Sequence, residues 1–206
     1  MLPVKYPKTV QPLIPSYNYS DVDEGTGITT YLGFTSNESG TASYNLTTSS
    51  PYSNLIETNM GSLGAGATAD KDFDTGALNR PRIIKGTAMV NITSALIDGG
   101  SYFLYVKLRK WNGSTETEIA EASGSILATA GNIRRTILIV IKNIAPTLIK
   151  AGEQIRVTVG AQGVTAGGTF WFAHDPQNRD GTTFVPSSTV GITTKLIANI
   201  PFKIVT

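Results

Sequence analysis

One short segment, His174-Asp-Pro-Gln-Asn-Arg-Asp-Gly181, gathers residue types that do chemistry. His174 and Asp175 are of the types that serve as a general base and its orienting partner. Asp175, Asn178 and Asp180 offer side-chain oxygens of the kind Ca²⁺ takes, although a calcium loop needs about six oxygens. The same residues also spell a turn. Asp-Pro and Asp-Gly are common turn dipeptides, and an aspartate accepts hydrogen bonds from turn N–H groups. The turn reading is preferred, with Arg179 paired to an acid. No serine lies in a nucleophile-elbow motif, and the chain's one histidine leaves no second imidazole for acid–base work. Two carboxylates suffice for glycoside hydrolysis, but nothing in the sequence marks out a pair.

Two glycine-rich stretches, Gly61 to Gly66 and Gly163 to Gly168, fit neither phosphate-binding fingerprint. The first lacks a following Lys-Ser/Thr, and the second enters a strand instead of a helix. Cysteine is absent, which excludes disulfides and thiolate zinc sites. Neither a catalytic set, nor a cofactor, nor a resident metal is expected. Asn-X-Ser/Thr sequons start at Asn18, Asn37, Asn45, Asn91 and Asn112. The opening residues have no basic segment followed by an apolar one, so no signal peptide is expected and these sequons stay unmodified.

The elements that must position these residues read as strands. Ile28 to Phe34 and Thr41 to Thr47 flank a Gly-containing turn, a hairpin pattern. A short strand is predicted from Asn54 to Thr58, and a loop from Gly61 to Ala67. Arg82 to Thr93 is a long strand in which Gly86 marks a bulge. In Ser101 to Trp111, Tyr102, Leu104, Val106 and Leu108 share one face. Asn112-Gly113 is a hairpin turn into Thr115 to Ala120. Ile126 to Ala130, Ile133 to Lys142, Gln154 to Val159, Thr169 to His174 and Thr193 to Val205 follow. The class is all-β: an antiparallel two-sheet sandwich, jelly-roll-like, with an extended N-terminal arm. An immunoglobulin-like sandwich is the second choice.

With 206 residues, 40% of them apolar and 16% charged, the chain can bury one sizeable core. No apolar run is long enough to cross a membrane as a helix. Charge is unevenly placed. Residues 1–78 carry eight acids against three lysines, a net −5; the rest carries fourteen Lys or Arg against seven acids, a net +7. Two solvated faces explain this most simply. The sharper reading is that an acidic segment of one subunit meets the basic body of its neighbour. Nucleic acid is not an expected partner, because the basic residues are spread along strands and Arg134-Arg135 is the only arginine pair.

Residues 1–20 form the arm and 21–206 the single domain. Pro3, Pro7, Pro12 and Pro15 interleave with Tyr6, Tyr17 and Tyr19. Proline fixes φ and lacks a donor, so the arm is extended and cannot be a helix or central strand. It lies either on its own domain or on a neighbouring subunit.

Several segments together resemble small β-sandwich virion proteins of tailed bacteriophages, which decorate the head or belong to the tail apparatus. They are Asn79-Arg-Pro-Arg-Ile-Ile-Lys-Gly86, the Tyr-rich strand 101–111, Ala151-Gly-Glu153, His174-Asp-Pro-X-X-Arg179 and Ile200-Pro-Phe-Lys203. The resemblance implies a non-enzymatic structural protein present in many copies of a virion assembled in the host cytoplasm. Its partners would be the major capsid protein or other virion proteins, and further copies of itself as a homo-oligomer. Neither nucleic acid nor membrane is implied. Pro7, Pro12 and Tyr17 are then the arm determinants, and Arg82, Arg109, Arg134 and Arg135 the contact face. The alternative is a receptor- or carbohydrate-binding module of a tail fibre or baseplate, using loops 112–114, 163–168 and 175–181 at one end of the sandwich. A glycan hydrolase centred on His174 and Asp175 ranks third.

Overall fold

The computed structural model describes residues 27–38, 41–128, 133–165, 167–186 and 191–203. The predicted arm, with Pro7, Pro12 and Tyr17, lies outside them. The described residues contain twelve strands and no helix: β1 (Ile28–Glu38), β2 (Thr41–Thr47), β3 (Glu57–Ser62), β4 (Thr68–Thr75), β5 (Arg82–Ile97), β6 (Ser101–Trp111), β7 (Glu116–Ser123), β8 (Leu127–Ala128), β9 (Arg134–Ile149), β10 (Gln154–Thr165), β11 (Thr169–Ala173) and β12 (Ile197–Lys203). The chain is all-β.

Two details differ from the expected architecture. Hydrogen bonding runs through one continuous path, β3-β11-β5-β12-β1-β2-β4-β10-β6-β7, with β8 on β6 and β9 on β5. And the sheet is mixed, because β2 and β4 pair in parallel through Asn45 opposite Asp74 and Leu46 opposite Thr75. β1 carries the path from one half to the other: residues 28–32 pair with β12 and residues 32–38 with β2.

The core sits where the halves of this path face each other. Alternation on β6 buries Tyr102, Leu104, Val106 and Leu108, and on β10 it buries Ile155, Val157, Val159 and Ala161. From β6, Tyr102 reaches β5, its hydroxyl 2.9 Å from Ser94 Oγ. Its ring centroid lies 5.7 Å from that of Phe170 on β11. Phe73 of β4 meets Phe172 of β11 edge-on at 6.0 Å. Each such fully buried aromatic contributes about 2–3 kcal/mol of burial.

Gly86 does mark an irregularity, with φ near +119° and register shifts on both sides. β9 runs past Lys142 to Ile149 through Asn143 at φ +57° and Pro146. Among the described residues its ladder partner is β5, so proline is tolerated on its other edge. β4 lies in a stretch where no strand was predicted. β3 starts and ends later than the predicted strand at 54–58.

Candidate functional site

His174 follows the end of β11 and is fully buried. Tyr44, Phe73 and Phe172 box its ring at centroid distances of 5.7, 5.8 and 5.4 Å. Nε2 lies 2.7 Å from Thr58 Oγ1, and Nδ1 has no partner. Burial in this apolar box pushes the imidazole pKa down to about 4, so the ring is neutral near pH 7.

Asp175 is also fully buried and is committed to Arg179. Arg179 donates from Nη2 to Oδ1 at 2.9 Å, from Nε to Oδ2 at 3.1 Å and from its backbone N–H to Oδ2 at 2.6 Å. These bonds hold the carboxyl below its usual range against the opposing effect of burial. Arg179 also donates to the Ser53 carbonyl at 2.6 Å and stacks over Tyr52 at 4.2 Å. Glu57 secures the next stretch, accepting from the N–H groups of Thr183 and Phe184 and from the Thr182 hydroxyl.

The expected turn with an Arg179–acid pair is therefore what the segment forms. The calcium reading finds its oxygens turned elsewhere: Asn178 Oδ1 accepts from the Thr193 hydroxyl at 2.6 Å and from the Thr194 N–H at 2.9 Å. Among the described residues no group of three His, Asp or Glu side chains is placed to hold a metal. The acid–base reading finds His174 and Asp175 closed to solvent among the described residues.

A second polar constellation was missed in the sequence. Asp70, Asp72 and Asp74 alternate along one face of β4, while Phe73 turns into the core. Opposite them on β10 and β6 stand Arg156 and Arg109, which face each other in register. Arg156 grips Asp74 with two 2.7 Å hydrogen bonds and reaches Glu116 of β7 at 2.8 Å. Arg109 pairs with Glu116 at 2.7 Å and with Asp72 at 3.8 Å. The Arg156 guanidinium lies 4.4 Å from the centre of the Trp111 ring. Tyr105 donates to Asp70 at 2.8 Å, and both burial and that carboxylate push its phenol pKa up. The signal was a period of two in Asp70-Lys-Asp-Phe-Asp74.

This network corrects the intersubunit charge reading in part, because acids of the N-terminal half meet arginines of the C-terminal half within one chain. The four arginines expected to form a contact face are also dispersed. Arg82 opens β5 and stacks on Phe202 at 5.3 Å. Arg134 stands at the other end of β5, opposite Ala95, and donates from Nε to the Thr183 carbonyl at 2.6 Å. Arg135, its neighbour on β9, points to the opposite side of the strand. Arg109 belongs to the ladder above.

Two of the three loops expected at one end are separated too. Trp111 pairs with Gln154 and Ser101 with Thr165, so loop 112–114 and loop 163–168 flank opposite ends of the β6-β10 ladder. The two glycine stretches pack on each other instead. Gly66 N–H donates to the Gly163 carbonyl at 2.8 Å, Gly163 N–H to the Ala67 carbonyl at 2.9 Å, and Leu63 N–H to the Gly168 carbonyl at 3.0 Å.

No protein-family model matches the chain. No curated protein matches it either. Among solved structures, a CocE/NonD family hydrolase from Staphylococcus aureus is similar with a TM-score of 0.48 at 12% identity, over 84% of this chain and 36% of that one. An alpha-amino acid ester hydrolase gives 0.43 at 13% identity, over 85% of this chain and 34% of that one. An Eiger TNF from S. frugiperda gives 0.29 at 10% identity, over 72% of this chain and 95% of that one. The chain spans about a third of the length of these two hydrolases. Likeness at this level carries nothing about activity.

Proposed function

We propose that the chain is a non-enzymatic structural protein of a tailed-phage virion, a decoration or cement protein of the head. It stabilises the shell by many weak contacts, each repeated over a symmetric lattice, so that avidity supplies the strength. The single observation that carries this reading is the closure of the one constellation that looked catalytic. His174 and Asp175 are wholly buried and committed to an aromatic box and to Arg179. The sequence resemblance to virion β-sandwich proteins gives the positive content: partners in the major capsid protein and neighbouring virion subunits, and a location in the virion. The arginines Arg82, Arg134 and Arg135 are the assembly contacts in this reading.

Co-sedimentation of the full-length chain with tailed-phage heads that lack it tests the proposal. Saturable binding at a fixed ratio to capsomers supports it. Binding to host envelopes or glycans with none to heads overturns it in favour of a receptor-binding module.

A further inference from the structure

The outward side of the β9-β5-β12-β1 half carries two rows of side chains aligned across four strands. In the first row Leu32 lies opposite Ile197, Ile197 opposite Asn91, and Asn91 opposite Leu138. In the second, Thr30, Asn199, Met89 and Val140 align in the same way. Thr30 donates to Asn199 Oδ1 at 2.7 Å along that row. Their chain neighbours Tyr31, Ala198, Val90 and Ile139 are buried in the core, so alternation turns these eight outward. None of the eight is charged and five are apolar. Leu138 is 53% exposed, and Ile28 at the head of β1 is 52% exposed. An antiparallel sheet face turned to water ordinarily carries polar residues. Around this one stand three exposed lysines: Lys85 on β5, Lys142 at the next outward position of β9, and Lys203 on β12 opposite Ile83.

The chain that precedes Gly27 has the matching chemistry. Leu2, Val4, Tyr6, Val10, Leu13, Ile14, Tyr17 and Tyr19 are apolar or aromatic, and Asp21, Asp23 and Glu24 come just before β1. We propose that residues 1–26 dock on this face of their own chain. The apolar positions cover the two rows, and the three acids meet the three lysines. Pro3, Pro7, Pro12 and Pro15 select a face over an edge, because proline cannot complete a strand ladder while its side chain still packs. Reach is sufficient. Leu13 is about 45 Å of extended chain from Gly27 at roughly 3.3 Å per residue, and four strands at about 4.8 Å spacing span about 15 Å. The tether also favours the same chain. Asp21 to Glu24 are within about 20 Å of Gly27, which holds them near the lysines at an effective concentration of the order of millimolar.

Met89 sits in the second row and reports on the cover, while Met60 on β3 lies outside it. Peroxide oxidation of both methionines, followed by mass spectrometry, is run on the full-length chain and on two full-length variants. One carries Leu13→Asp with Ile14→Asp, the other Asp21→Lys with Asp23→Lys. The expected result is Met89 oxidation about tenfold slower in the parent, as a docked population near 90% imposes, at every protein concentration. An unchanged Met60 rate shows that the variants are folded. Equal Met89 rates in parent and variants overturn the proposal. Protection that appears only as the solution mass rises with concentration also overturns it, and assigns the face to a second copy.

Discussion

Arg156 and Asp74 form a two-point ion pair across the β10-β4 ladder, with Nε 2.7 Å from Oδ1 and Nη2 2.7 Å from Oδ2. The Arg156 side chain is only 14% exposed, and its remaining amino group serves Glu116. One guanidinium thus ties β10 to β4 and β7, and Trp111 covers it. Removing it leaves the largely covered Asp74 carboxylate without its two-point partner and Glu116 with Arg109 alone. Arg156→Met should destabilise the domain by about 2–3 kcal/mol. Arg156→Lys should recover less than half of that, because an ammonium cannot match the two-point geometry. Urea unfolding at low and high salt checks this, and a cost under about 0.5 kcal/mol for either variant would place the pair among ordinary surface bridges.

His174 sets a pH dependence whose sign follows from its burial. Its folded pKa is lowered from 6.5 to about 4. As pH falls below about 6.5, the unfolded chain takes up a proton that the folded chain refuses. Stability is therefore full above that pH, declines down to about pH 4, and gains no further slope from this group below it. The whole change is about 3 kcal/mol. His174→Phe keeps an aromatic filler among Tyr44, Phe73 and Phe172, gives up the Thr58 contact at a cost of about 1 kcal/mol, and should flatten the profile between pH 6.5 and 4. An unaltered slope in that variant would assign the pH dependence elsewhere.

Asp175 holds the turn that follows, through the side chain and the backbone N–H of Arg179. Asp175→Ala leaves the partly exposed Arg179 guanidinium and its backbone N–H without their acceptor, which costs about 2 kcal/mol. Limited proteolysis should then cut first within 175–186. If cleavage begins elsewhere and stability is unchanged, the pair does not organise this segment.

Gly163 shows why the glycine stretches are glycine. A Cβ there would collide with the carbonyl oxygen of Gly64, part of a backbone that cannot swing aside. Gly163→Ala should cost about 2 kcal/mol or more as overpacking, whereas Gly113→Ala at the open hairpin tip meets no neighbour and pays only for its positive φ. Thermal unfolding of the two variants separates crowding from turn strain.

Much of the fold was legible, for identifiable reasons. Strands with a clean period of two, such as β6 with Tyr102, Leu104, Val106 and Leu108, announced themselves. The Asn112 turn was written in its dipeptide, and Asn112 Oδ1 indeed accepts from the Ser114 and Thr115 N–H groups. β4 was not legible, because three aspartates and one lysine lower strand propensity and Phe73 is its one large core residue. Its acids are affordable only because β10 and β6 supply arginines from far along the chain. Parallel pairing of β2 with β4 is likewise absent from periodicity, which says which face is apolar but not which strand lies alongside. Lys142-Asn143 and Pro146 read as an end to β9, yet an edge strand accommodates them. The His174 segment gave its residue types in sequence but not their burial, which alone separates a catalytic pair from a knot.

The central claim is that this chain strengthens a shell by contact. The most direct measurement is the temperature at which tailed-phage heads release their DNA, with and without the bound full-length protein. The account predicts a higher release temperature that saturates with occupancy and persists with the buried variant His174→Phe. Binding that leaves the release temperature unchanged would contradict it.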